Sequence, residues 1–298
     1  MPSFAGRYAE YQAAVECALP LSFPEQADAV GGTAVKAARY SLLGGGKRIR
    51  PVLLLAVTDM LGGNREEAMP FACATEMIHT YSLIHDDLPC MDDDDLRRGR
   101  PTCHKAFSEA MAVLAGDALL NRAFEVMLAA ISPVRPATLE AARIIARAAG
   151  SQGMIGGQSL DLSAEGRAIS PDELHTLHSM KTGALLKAPI LAAASLAGAP
   201  ADTAGHLSAY ADAIGLAFQI QDDILDATAD SNTLGKSAGK DLRDSKPTYA
   251  SLFGLTAARG FLAEAISDAR TALDNLLKSG LDPGFLQDMT DYLLTRSN

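Results

Sequence analysis

Apolar residues recur along this chain at the three- and four-residue spacing of an α-helix, almost without interruption. The pattern predicts Ala- and Leu-rich helices over 7–19, 28–43, 51–61, 66–88, 105–131, 138–162, 171–197, 203–227, 249–278 and 285–295. No stretch alternates convincingly at period two, so no sheet is expected. One start is well marked: Ser170 as N-cap, Pro171 at the first helical position and Glu173 completing a capping box. Breaks are expected at Gly44-Gly45-Gly46, Gly62-Gly63, Leu88-Pro89, Pro133 with Pro136, and the polar segment 230–246. None is long enough to serve as a domain linker, so the expectation is one all-α domain, 1–298, of about ten or more helices.

Composition narrows the possible partners. With 298 residues, 48% hydrophobic and 21% charged, the chain can bury a large core. A net charge of -10 argues against nucleic acid, whose phosphates are held by clustered Lys and Arg in excess. Cys17, Cys73, Cys90 and Cys103 form no CxxC pair and no zinc spacing, which fits free thiols in a reducing cytoplasm. The N-terminal stretch carries Glu10 and Glu16 and lacks a basic region followed by an apolar one, so no signal peptide is expected. The weakly polar stretch 188–201 is too short to span a bilayer, so no transmembrane segment is expected either.

Two aspartate clusters carry the chemistry. Asp86-Asp87 with Asp92 to Asp95, and Asp222-Asp223 with Asp226, each close a long apolar helical run, where the helix dipole is already negative. Such crowding is unfavourable unless cations sit there, and hard oxygen donors suit Mg²⁺, which takes its remaining ligands from water and phosphate. Asp222 and Asp226, four apart, share a helix face with Asp223 beside them. Asp86 and Asp92 are six apart and would diverge on an unbroken helix, but Pro89 ends or bends it and lets the chain turn back. An acidic run alone is usually a solvated loop; two similar clusters after apolar helices are not explained that way.

Cations accompany the aspartates. Gly44 to Pro51 places backbone amides with Lys47, Arg48 and Arg50 at a tight loop, as a phosphate requires. Arg97-Arg98 follow the first cluster, Lys181-Thr182 lie within a helix, and Lys236, Lys240 and Lys246 surround the loop after the second cluster. Singly, each cation is ordinary surface chemistry. His79 lies seven residues before Asp86 on the same helical stripe, although a lone helical His is more often structural. Together these groups describe a substrate with two pyrophosphate groups, or two such substrates. A di-iron bundle would need Glu-x-x-His motifs on paired helices, and Glu76 with His79 supplies one.

Five segments then resemble a known family: Gly45-Gly46-Lys47-Arg48-Ile49-Arg50-Pro51; His79 to Asp92 with Arg97-Arg98-Gly99; Gly157-Gln158 with Asp161-Leu162; Lys181-Thr182-Gly183; and Phe218 to Asp226. In this order they are similar to the trans-isoprenyl diphosphate synthases, the closest match being the bacterial short-chain farnesyl diphosphate synthases. Four residues between Asp87 and Asp92 mark that bacterial subtype. The resemblance extends from about Lys47 to Tyr249 and does not reach the tail from Thr295 to Asn298.

The resemblance implies an isoprenoid-synthase bundle around a central cavity and a magnesium-assisted prenyl transfer. Asp86, Asp87, Asp92, Asp222 and Asp226 would hold Mg²⁺, three ions with substrate bound. Arg97, Lys181, Lys236 and Lys246 would bind the allylic diphosphate, and Thr182, Gln219 and the Lys181 carbonyl would face the carbocation. Gly46, Lys47, Arg50, His79 and Arg98 would bind isopentenyl diphosphate. Tyr81 and Ser82, one turn before Asp86, would limit product length, an aromatic ring at 81 going with fifteen carbons. No protein nucleophile is required, in keeping with the lack of a Ser-His or Cys-His arrangement. The expected enzyme is a cytoplasmic homodimer making farnesyl diphosphate from dimethylallyl and geranyl diphosphates. Geranylgeranyl diphosphate is the alternative product. A catalytically inactive helical partner subunit is the alternative of another class, disfavoured because both aspartate motifs are intact.

Overall fold

Leu53, Leu54 and Leu55 are all fully buried, so one helix is surrounded by protein on every side, and the first half of the chain is built around it. The structure is a computed structural model that describes residues 3–25, 32–228 and 247–295. The chain divides into two compact units, Met1–Ala142 and Arg143–Asn298.

The first unit comprises α1 (Phe4–Ser22), α2 (Gly32–Leu42), α3 (Ile49–Met60), α4 (Arg65–Asp86), a short hairpin, α5 (Cys103–Ala106) and α6 (Glu109–Ala129). Helix α3 is the enclosed one, packed against α1 and α4, while α4 also packs on α6. Asn64 caps α4 through its side-chain oxygen, which accepts from the Glu66 N–H at 2.8 Å. The expected helix 105–131 is two: the chain breaks at Phe107, and Ser108 caps α6 by accepting from the Met111 N–H at 3.2 Å. The hairpin, β1 (Leu96–Arg97) with β2 (Arg100–Pro101), departs from the all-helical expectation. Its turn residues, Arg98 at φ 54° and Gly99 at φ 72°, are both left-handed, as a two-residue primed turn requires.

Helix α7 (Pro136–Ala149) straddles the boundary between the units. The second unit continues with α8 (Met154–Ala164), α9 (Pro171–His178), a π-helical turn (Ser179–Gly183), α10 (Ala184–Leu196), α11 (Ala201–Thr228), α12 (Tyr249–Lys278) and α13 (Gly284–Thr295). The expected helix 138–162 is broken at 150–153, where a Cβ on Gly153 would lie 2.1 Å from the Ala148 carbonyl oxygen. The expected 171–197 helix contains the π turn. Its capping box is present: the Ser170 hydroxyl accepts from the Glu173 N–H at 3.2 Å, and the Glu173 carboxylate from the Ser170 N–H at 2.8 Å. Helix α12 has the expected bounds, with a kink at Gly254. Beneath α11, Ile220 and Ile224 join Leu174, Leu177 and Tyr249 in an apolar cluster, each such side chain contributing about 1.5–3 kcal/mol of burial.

The fold class is all-α, as expected. Among the described residues no helix is long and apolar enough to cross a membrane. Lys236, Lys240 and Lys246, with Arg296 to Asn298, lie outside the described residues.

Candidate active site

In the first unit, Leu88-Pro89 ends α4 and reverses the chain. The Asp92 N–H donates to the Asp86 carbonyl at 2.9 Å, the Asp93 N–H to Leu88 at 3.1 Å and the Asp94 N–H to Asp87 at 3.3 Å. The return that the Asp86–Asp92 spacing called for is thus made by backbone hydrogen bonds. Asp86 and Asp92 are half-buried, whereas Asp87 is 3% exposed. The Asp87 carboxylate accepts from Arg97, whose Nε lies 2.8 and 2.9 Å from its two oxygens and whose Nη2 lies 2.5 Å from one. Asp94 stands 3.6 Å from the same guanidinium. Asp87 therefore fixes the position of Arg97, a task distinct from that of its neighbours.

The glycine loop is shaped by its backbone. Gly45 (φ 81°) and Gly46 (φ 137°) occupy conformations that favour glycine. A Cβ on Gly46 would come within 2.3 Å of the Arg98 guanidinium, which donates to the Gly45 carbonyl. The loop is also held from α1: the Gln12 amide donates to the Gly46 carbonyl at 2.8 Å, and the Tyr8 hydroxyl to the Lys47 carbonyl. Sequence placed three cations at this loop for a phosphate, and Arg48 is the one that departs. Its side chain is fully buried, bonded to Glu16 at 2.7 Å, Glu76 at 2.7 Å and the Leu42 carbonyl at 2.7 Å. Arg48 is an internal anchor, and its pairing also accounts for Glu76.

Loss of water, reinforced by the positive field of Arg50, Arg98, Arg97 and Arg48, holds the half-buried His79 imidazole well below its usual pKa. Of these four cations, Arg48 and Arg97 are paired with carboxylates. Tyr81, five residues before Asp86, is 5% exposed. Burial and the nearby Asp86 push its phenol up to about 12. The Ser82 hydroxyl donates back to the His79 carbonyl at 2.9 Å.

In the second unit the π turn presents Lys181 and Thr182. Inserted turns of this kind often mark functional sites, because the extra residue re-aims the side chains that follow. Two glycines admit it: a Cβ on Gly157 of α8 would lie 2.2 Å from the Lys181 nitrogen, and one on Gly215 of α11 would lie 3.2 Å from the Gly183 Cα. The Lys181 ammonium donates to Asp161, also on α8. Thr182 donates to the Gln219 amide oxygen at 2.9 Å, and the Gln219 amide nitrogen donates to Asp223 at 2.9 Å. The other Asp223 oxygen accepts from the Tyr249 N–H at 2.8 Å. Buried Asp223 therefore positions Gln219, while half-buried Asp222 and Asp226 share another face of α11, away from the apolar cluster. Asp161 and Asp223 as positioning groups were not foreseen: Lys181 reaches Asp161 from another element, and the Gln219–Asp223 pair, four apart on α11, is completed by the distant Tyr249 N–H.

Among the described residues no three His, Cys, Asp or Glu side chains converge to hold a metal by themselves. The paired carboxylates at the two helix ends do fit Mg²⁺, which uses one or two protein carboxylates and draws the rest from water and phosphate.

A family model for polyprenyl synthetase matches residues 33–279. The chain belongs to the polyprenyl synthetase family. It is a trans-prenyl diphosphate synthase, a transferase of a family that acts on isoprenoid diphosphates. The synthase is 47% identical over 266 residues to farnesyl diphosphate synthase of Escherichia coli (strain K12), covering 88% of this chain and 89% of that one. It is 49% identical over 271 residues to heterodimeric geranylgeranyl pyrophosphate synthase large subunit 1, chloroplastic, of Arabidopsis thaliana, covering 88% and 70%. Its structure is similar to that of an FPP/GFPP synthase from Zymomonas mobilis, with a TM-score of 0.86 at 36% identity over 98% and 99% of the chains.

Proposed function

We propose that this synthase condenses isopentenyl diphosphate head to tail with dimethylallyl and then geranyl diphosphate, giving farnesyl diphosphate. The observation that carries the fifteen-carbon product is Tyr81, a buried aromatic ring five residues, roughly 7.5 Å along the helix, below Asp86. A tail anchored by its diphosphate and growing along α4 meets that ring. The high identity to geranylgeranyl synthases supports a twenty-carbon product as the second reading.

The proposed chemistry divides among the residues as follows. Lys47, Arg50 and Arg98, with the Gly46 backbone and neutral His79, bind the diphosphate of isopentenyl diphosphate, which does not react. Arg97, steadied by Asp87, and Lys181, steadied by Asp161, bind the allylic diphosphate and stabilise charge that grows on it as the C–O bond breaks. Mg²⁺ bound at Asp86, Asp92, Asp222 and Asp226 would supply the Lewis acidity that lowers the cost of that ionisation. The Thr182 and Gln219 dipoles, oriented by Asp223, face the allylic cation. The double bond of isopentenyl diphosphate captures the cation, and released pyrophosphate takes the proton. Lys236 and Lys246 are proposed as further allylic-diphosphate contacts. A cytoplasmic homodimer is proposed as well, and the exposed Val113, Leu114 and Leu128 of α6 support an oligomer.

The test is chromatography of dephosphorylated products from labelled isopentenyl diphosphate with each allylic starter. Farnesol as the main alcohol is expected. Geranylgeraniol as the main alcohol would overturn the fifteen-carbon reading in favour of the second.

A further inference from the structure

His85 has no part in the roles above, yet its imidazole is engaged on three sides. One turn before it on α4, the Tyr81 ring meets it edge to face, with centroids 5.7 Å apart and planes at 77°. On α6, its Nε2 lies 3.1 Å from the Val113 carbonyl oxygen. A carbonyl only accepts, so Nε2 carries the proton and the ring orientation is set. The third side is Gly116 of α6, where a Cβ would lie 2.1 Å from Nε2, 2.5 Å from Cδ2 and 2.8 Å from Cε1.

Glycine is a poor choice for a helix interior, and Gly116 is buried in the middle of α6. The space it leaves is the space the His85 ring fills. Tyr81 needs such a neighbour, because its buried hydroxyl has no hydrogen-bond partner among the described residues. No polar anchor of its own fixes the ring, so packing must.

We infer that His85, admitted by Gly116, is a positioning residue for product length: it braces the Tyr81 ring so that the ring stands as the floor. The inference rests on the assignment of Tyr81 as that floor. Simple packing of α4 on α6 would predict a different outcome, because loosened helices lower stability and rate without lengthening the product.

The experiment compares full-length wild type with Tyr81→Ala, His85→Ala, Gly116→Ala and the double variant His85→Ala/Gly116→Ala. The readout is the chain-length distribution from isopentenyl and geranyl diphosphates. Both single brace variants should raise, several-fold, the share of product one isoprene unit longer than that of wild type. The double variant should do no more than His85→Ala, since Gly116 acts only through the ring it admits. His85→Ala removes atoms and adds none, so it decides the matter should Gly116→Ala fail to fold. Unchanged lengths in the folded brace variants, with longer products from Tyr81→Ala, would overturn the brace and leave the floor standing. An unchanged length in Tyr81→Ala would remove the floor and the brace with it.

Discussion

Gly157→Ala is the smallest change that should disable the Lys181 turn. The added Cβ would lie 2.2 Å from the Lys181 nitrogen, 2.6 Å from its Cα and 2.7 Å from the Met180 carbonyl carbon. All three are backbone atoms, so no rotamer change relieves the clash. Ordinary carbon contacts begin near about 3.5 Å, so α8 and the π turn must part by roughly 1 Å or more. Overpacking of this kind costs about 1–3 kcal/mol, and a shift of about 1 Å in a positioning element costs roughly 10²-fold in rate. Asp161 lies one turn beyond Gly157 on the same face of α8, so the separation also pulls it from the Lys181 ammonium. Gly215→Ala is the internal comparison, because its Cβ would meet Gly183 at 3.2 Å, a contact that a few tenths of an ångström relieve. The assay is kcat at saturating substrates beside a thermal melt. Gly157→Ala should lose about 10²-fold in kcat and Gly215→Ala only a few-fold. A Gly157→Ala protein with wild-type kcat and Tm would refute the close approach and the role of the π turn.

Glu76→Ala should destabilise the fold by about 3 kcal/mol in denaturant titration, because it strips one carboxylate from the buried Arg48 guanidinium; a loss near zero would contradict that anchor. Burial pulls His178 down to about 4, only partly offset by Asp161, so its folded pKa is below its unfolded value of about 6.5. Its contribution is therefore complete above that unfolded value and is lost as pH falls toward 4, roughly 3 kcal/mol in all. His79 acts in the same direction, so His178→Phe should flatten the acid limb of a stability–pH curve without abolishing it, and an unchanged slope would count against the burial. Arg50→Ala should raise KM for isopentenyl diphosphate roughly tenfold or more, whereas Lys181→Ala should lower kcat; indistinguishable signatures would undo the two assignments.

Hydrophobic spacing foretold most helices because α4, α11 and α12 carry apolar residues at helical spacing and α3 is an apolar run long enough to read as a helix. Where it failed, the cause was local and of a kind that spacing does not encode. The π turn adds one residue to the 171–197 run, and its Ser-Met-Lys-Thr-Gly sequence holds no proline to break the helix, so it reads as uninterrupted. The break before α6 did carry a signal, the Ser108 cap, which the surrounding apolar run masked. The hairpin at Leu96 to Pro101 is too short for period two, and its Arg98-Gly99 turn was the available clue. At the site, the return of Asp92 to Asp86 was legible from Pro89 alone. The inward turn of Arg48 was not, because Glu16 and Glu76 stand 32 and 28 residues away in sequence. Gln219, four residues before Asp223 on α11, was the local clue that sets Asp223 apart from Asp222, whereas the backbone N–H that Asp223 also accepts belongs to Tyr249, 26 residues on.

The most direct test of the whole account is the initial rate of magnesium-dependent condensation of labelled isopentenyl diphosphate with geranyl diphosphate by Asp222→Ala, measured beside wild type and a wild-type sample in EDTA. Asp222 is half-buried at the end of a helix whose apolar face is packed away from it, so its replacement should spare the helical fold, as circular dichroism would record. The rate should fall by roughly 10²-fold or more, the scale on which loss of one group that stabilises developing charge is felt. Near-normal turnover by Asp222→Ala, or by wild type in EDTA, would contradict the claim that the aspartate motifs carry the chemistry.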